Sequence, residues 1–170
     1  PLYIAISIAL KTPEELAKSV FSLPLGFHIE NFTKAIEATN FFSALKNSTL
    51  ITVTTVVFTI LTNSLVAYAI ARNIHRKFFK VLYYYFVSAM FIPFPIIMLP
   101  LVKQTSALGM DNPGGLIFLY IVYGAALNIF IYVGYIRSIP MELEEAAIMD
   151  GCSTWGVFWK VIFPLLTPIN

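Results

Sequence analysis

Three runs without a single Asp, Glu, Lys or Arg constrain this chain more than anything else in it: residues 47–71 (25 residues), 81–102 (22) and 112–136 (25). A helix rising about 1.5 Å per residue needs about 20 residues to cross a hydrocarbon core, so each run is long enough for one crossing. Lipid offers no hydrogen bonds, and a helix satisfies its own backbone. Charged residues make up only 12% of the chain, about half the share usual in soluble proteins. These features predict an all-α polytopic membrane protein and exclude an ordinary soluble domain.

Residues 1–10 and 161–170 are also uncharged, ten residues each and about half a crossing. The expectation is a fragment cut within the first and fifth spans of a longer protein. A signal peptide would open with positive charge, and residues 1–10 carry none. The predicted layout is therefore one transmembrane domain over 1–170. It comprises the end of span 1 (1–10), an external loop (11–46), span 2 (47–71), a linker (72–80), span 3 (81–102), an external loop (103–115), span 4 (116–136), a loop (137–160) and the start of span 5 (161–170). The 72–80 linker holds Arg72, Arg76, Lys77 and Lys80 with no acid, which reads as cytoplasmic. Segment 11–46 dilutes four Lys with four Glu and reads as external. Alternation then places 137–160 inside.

Local chemistry adds detail. Thr12-Pro-Glu-Glu15 is a capping box with Pro in the first turn, predicting a short helix that Ser22-Leu-Pro-Leu-Gly26 ends. Asn31 is expected to cap a further helix carrying Phe32, Ala35 and Ile36. The external segment is either a simple loop or a docking surface. Ionisable groups are absent from the spans, which counts against an ion-coupled carrier. Polar residues are present: Thr52, Thr54, Thr55 and Thr59 in span 2 and Asn128 in span 4, suited either to helix packing or to lining a path for a neutral polar solute. Pro93, Pro95 and Pro100 predict that 91–101 is not a straight helix, and broken helices in membranes line cavities or lie buried in protein. Phe94 and Tyr123 are candidate pathway aromatics for stacking on sugar rings, with interfacial anchoring as the alternative for the tyrosines.

No catalytic constellation emerges. His28 and His75 lie in different loops, which leaves no metal site, and Cys152 is a lone thiol. Gly151 to Gly156 has phosphate-loop glycine spacing but continues Val157-Phe158 in place of Lys-Ser/Thr, so no cofactor or nucleotide site is expected.

The loop 137–160 is more elaborate than a connection requires. Pro140 in a first turn, Glu142, Glu144 and Glu145 at the positive end of a helix, and Gly151 at a left-handed stop predict one short helix. Leu143, Ala146, Ala147 and Asp150 should share a small-residue face. Ser153 should cap a second helix with Trp155, Phe158, Trp159 and Ile162 as an apolar stripe. Such a piece either anchors at the interface or presents an acidic face to a partner with a basic cleft.

Glu145-Ala-Ala-Ile-Met-Asp150-Gly151, with Phe158, Ile162, Pro164-Leu165 and Pro168, resembles the EAA loop of ATP-binding-cassette (ABC) importer permeases. Asn47-Ser48, Ala67-Tyr68-Ala-Ile-Ala-Arg72, the Pro93 and Pro100 stretch and Leu108-Gly109 resemble that family's carbohydrate branch, the maltose and multiple-sugar type. Cys152 stands where that family often has Ala. The resemblance implies an incomplete type I ABC-importer permease fold in the inner (cytoplasmic) cell membrane. It implies a non-enzymatic subunit that forms a pathway for an oligosaccharide. The implied partners are a separate cytoplasmic ABC ATPase dimer, a second permease subunit making a heterodimer, an extracytoplasmic solute-binding protein, the sugar and membrane lipid, with no nucleic acid. It assigns ATPase coupling to Glu145, Ala146, Ala147, Asp150 and Gly151. The alternatives are a permease for a non-sugar solute and a membrane scaffold or assembly protein with no transport role.

Overall fold

The computed structural model describes residues 1–170, which divide into two compact units, Pro1–Leu50 and Ile51–Asn170. In the first, α1 (Leu2–Ala9) is followed by α2 (Pro13–Lys18), where Thr12 Oγ1 accepts from the Glu15 amide at 3.2 Å and Pro13 needs no donor. The chain then folds back on α1. Tyr3 donates to the Phe21 carbonyl (2.9 Å), and Ser7 donates to that of Ser22 (3.1 Å). Lys11 is 1% exposed, and its ammonium donates to the Ser19 and Val20 carbonyls and to Ser22 Oγ at 3.0–3.2 Å. All three donors of that buried cation are used, which is what makes its burial tolerable.

The helix α3 (Glu30–Ala38) starts one residue before the predicted cap. Asn31 is not its N-cap. Its amide donates instead to the Ala9 and Lys11 carbonyls (3.1 and 2.9 Å), filling acceptors that the end of α1 leaves open. His28 Nδ1 lies 3.3 Å from Glu30 Oε1, and this hydrogen bond holds the Glu30 carboxyl below its usual range. The Lys11→Met variant should leave three acceptors unpaired, costing about 1–3 kcal/mol locally. It should speed limited proteolysis of the full protein at residues 19–27. Unchanged cleavage there would show that other contacts hold the segment.

Two helices are long and apolar enough to cross a membrane, α4 (Phe41–Arg72) and α7 (Pro113–Ser138). Both extend past the predicted spans 47–71 and 116–136, since helix ends reaching water need no apolar residues. Between them lie α5 (Lys77–Ala89) and α6 (Phe94–Ala107), bent by 100° at a short break. If the bent pair counts as one span there are three. Predicted span 3 falls on this pair. The break takes residues 90–93, because the position before Pro93 is steered out of the helical region. Pro95 falls in the first turn of α6, where a missing donor costs nothing, and Pro100 is inside the helix. The proline-rich stretch is therefore interrupted at its start and helical from Phe94 onward.

The core of the second unit joins Ala67, Ile70 and Ala71 of α4 to Ile129, Tyr132, Val133 and Ile136 of α7. Both sets recur at three- and four-residue spacing. Ser64, Ala67 and Ala71 are small enough to let another helix approach closely, the packing that works where lipid is as apolar as the side chains. The same core takes in Val157, Phe158, Ile162 and Leu166 from the far end of the chain. α5 lies along α7.

Candidate functional site

The loop after α7 folds into two short helices joined by a sharp turn. The first, α8 (Glu142–Met149), begins behind Met141, so Pro140 lies just outside it and not in its first turn. Glu142, Glu144 and Glu145 occupy its first turn, where carboxylates meet the helix's positive end. Gly151 has φ +85°. Its amide donates to the Ile148 carbonyl and the Cys152 amide to that of Ala147, both at 2.9 Å, closing the helix in a Schellman motif. Ser153 then accepts from the Gly156 amide (3.2 Å) and caps α9 (Thr154–Val157). A π-helical turn over Phe158–Ile162 and the short α10 (Phe163–Leu165) continue the chain.

The two adjacent glutamates have opposite surroundings. Glu145 is exposed, whereas Glu144 is buried and points into the molecule. Glu144 Oε1 accepts from Arg72 Nε at 2.5 Å, and its Oε2 accepts from the Tyr68 hydroxyl at 2.7 Å. Arg72 Nη2 donates to the Ile139 carbonyl (3.2 Å) at the end of α7. The ends of α4, α7 and α8 thus meet at one ion pair whose side chains are only 13% and 6% exposed. The Tyr68 ring also lies 5.3 Å from that of Phe158.

This geometry corrects two sequence expectations. Leu143, Ala146, Ala147 and Asp150 share a face by spacing, but that face is not uniformly open. Ala147 is turned into the core one turn after Glu144, while Leu143, Ala146 and Asp150 are exposed together with Ile148 and Met149. Ala147 thus lies against the core, 9% exposed. The predicted stripe also splits. Phe158 and Ile162 are buried, but Trp155 and Trp159 are exposed, and a π-helical turn covers Phe158–Ile162. The Arg72–Glu144–Tyr68 cluster had no sequence signal. Its members are 72 and 76 residues apart, and Glu144 alone reads as one more acid in a helix's first turn.

The three candidate pathway residues are not brought together. Asn128 lines a cavity of about 380 Å³ with Thr55, Thr59, Tyr120, Tyr132 and Asn170. The buried hydroxyl of Thr55 has no hydrogen-bond partner, and Tyr132 donates to Asn170 at 2.6 Å. Phe94 and Tyr123 instead pair edge-to-face, 5.1 Å apart, and Tyr123 lines a separate, mostly apolar cavity between α5, α6 and α7.

Long apolar helices, a bent helix pair and a helical hairpin carried at a buried charge cluster define a multi-pass helical membrane protein. The model of the binding-protein-dependent transport system inner membrane component family matches residues 63–170, and the chain belongs to that family. It is 36% identical to the multiple sugar-binding transport system permease protein MsmG of Streptococcus mutans, over 100% of this chain and 62% of that protein. It is 35% identical to the melibiose/raffinose/stachyose import permease protein MelC of Bacillus subtilis, again over 100% of this chain and 62% of the relative. A solved bacterial ABC transporter involved in import of the acidic polysaccharide alginate superposes with a TM-score of 0.81 at 26% identity, covering 98% of this chain and 58% of that one. The chain thus spans about three fifths of the length of these relatives.

Proposed function

We propose that this chain is part of the transmembrane permease subunit of an ABC importer in the cytoplasmic membrane. It forms a pathway for an oligosaccharide and engages a separate cytoplasmic ATPase through α8 and the Gly151 turn. The observation that carries this reading is the placement of Glu145: an exposed carboxylate in the first turn of a short helix whose opposite face is locked into the core. A carboxylate held this way suits a basic cleft on a partner, while Leu143, Ala146 and Met149 supply apolar contact area around it. Asp150 adds a second charge on the exposed side, and Gly151 sets the angle to α9. The relatives' full-chain similarity supports the carbohydrate assignment.

The cavity at Asn128 supports a neutral sugar. Its polar lining consists of hydroxyls and amides, and no Lys or Arg is present to favour an acidic one. Phe94 and Tyr123 form a second aromatic surface that suits stacking on sugar rings. A second permease subunit and an extracytoplasmic solute-binding protein complete the assembly.

The full-length protein purified in mild detergent should bring an ABC ATPase with it. In liposomes with its permease partner and binding protein, that complex should show ATP-dependent uptake of a labelled oligosaccharide of the raffinose type. An ATPase-free preparation, or uptake that follows an ion gradient and ignores ATP, would sink the proposal.

A further inference from the structure

We propose that Arg72 and Tyr68, acting through the buried carboxylate of Glu144, are positioning residues that make α4 move with α8, so that an ATPase pulling on the exposed side of α8 shifts a membrane span directly. This rests on the permease reading above. In sequence, α8 is joined to α7 through residues 139–141 and to α9 through the Gly151 turn, and it has no short covalent route to α4. The physical route is the Glu144 carboxylate. Its two oxygens take donors from successive turns of α4, the Tyr68 hydroxyl and Arg72 Nε, so the group is held at two points and cannot swivel. Arg72 spends a second nitrogen on the Ile139 carbonyl, which ties the end of α7 to the same point.

Burial matters to the mechanics. Water and salt screen exposed pairs, but this one is nearly sealed, so separating it strands a charge in a poor solvent. Small displacements of α8 are therefore followed by α4 and α7 in preference to breaking the pair. Glu144 is the only buried polar side chain on α8, since Ala147, the helix's other buried residue, contributes a methyl group alone. Neighbouring carboxylates divide the labour: Glu145 faces the partner and Glu144 faces the span.

The test uses the full importer in liposomes and reads solute imported per ATP hydrolysed, a ratio that loss of folded protein does not change. Glu144→Gln keeps the shape and an acceptor but removes the charge. It should lower the ratio by about tenfold, within the range usual for coupling between sites, while bound ATPase and basal hydrolysis stay at wild-type levels. Arg72→Lys retains charge but not the fork that reaches both Glu144 and Ile139, and should give a smaller loss in the same ratio. If Glu144→Gln fails to assemble, Tyr68→Phe decides: it keeps the ring against Phe158, removes one donor, and should still lower the ratio measurably. A wild-type ratio in assembled Glu144→Gln, or in Tyr68→Phe where that variant decides, overturns the link and leaves the permease reading standing. Absence of ATP-dependent uptake by the wild-type complex would overturn both.

Discussion

The Glu145→Lys variant is expected to lose ATP-dependent uptake while inserting in the membrane at normal levels. Glu145 makes no side-chain hydrogen bond or ion pair within the chain and is exposed, so its replacement should cost the fold little, within about 0.5 kcal/mol for an ordinary surface position. A cation in the first turn of α8 opposes the helix dipole and adds about 0.3–1 kcal/mol. Against that stands the loss at the partner. Reversing one member of a charge pair that association desolvates costs about 2–5 kcal/mol, at about 1.4 kcal/mol per tenfold in affinity. The second effect dominates. Co-purified ATPase should fall at least thirtyfold, on the order of that cost, with the permease's thermal stability nearly unchanged. Normal uptake together with normal ATPase association would remove Glu145 from the coupling surface.

The Gly151→Val variant should do comparable damage by a different route. An ideal Cβ at Gly151 meets nothing within 4 Å, so crowding is not the issue. The backbone is: φ +85° lies in the left-handed region, where an L-residue pays about 1–2 kcal/mol and a β-branched one more. Valine should open the Schellman turn, free the Cys152 and Gly151 amides, and misdirect α8 relative to α9. Uptake should fall by more than about tenfold, the factor that 1.4 kcal/mol represents. Asparagine, which visits the left-handed region more readily, should retain most of the activity. Hydrogen exchange at those two amides checks the structural part. Normal transport by the valine variant would show that the turn is dispensable.

Features set by neighbouring residues are legible in the sequence. Uncharged runs located α4 and α7, and Thr12 and Ser153 were recognisable as caps because a cap and the amide it binds lie three residues apart. Gly151 was legible as a helix stop for the same reason. Asn31 does not cap α3, because its partners, the carbonyls of Ala9 at the end of α1 and of Lys11 just beyond it, lie about twenty residues away. The break ahead of α6 shows the limit from another side. Three prolines announce an interruption, but the first turn of α6 accommodates Pro95, so the break falls at residues 90–93 and spares the rest.

Hydrophobic length, charge gaps and local capping are short-range properties, so composition and spacing alone determined that this chain forms apolar helices with an acidic, glycine-ended helical hairpin between two of its apolar segments. Which glutamate of the hairpin is held inside and which is left exposed is another kind of question. Glu144 and Glu145 have the same side chain and adjacent positions; the family resemblance singles out Glu145, but nothing local to either residue says which one is buried. Only packing decides between them: the rotation of α8 that buries Ala147 also carries Glu144 to Arg72 and Tyr68, more than seventy residues away, and turns Glu145 outward.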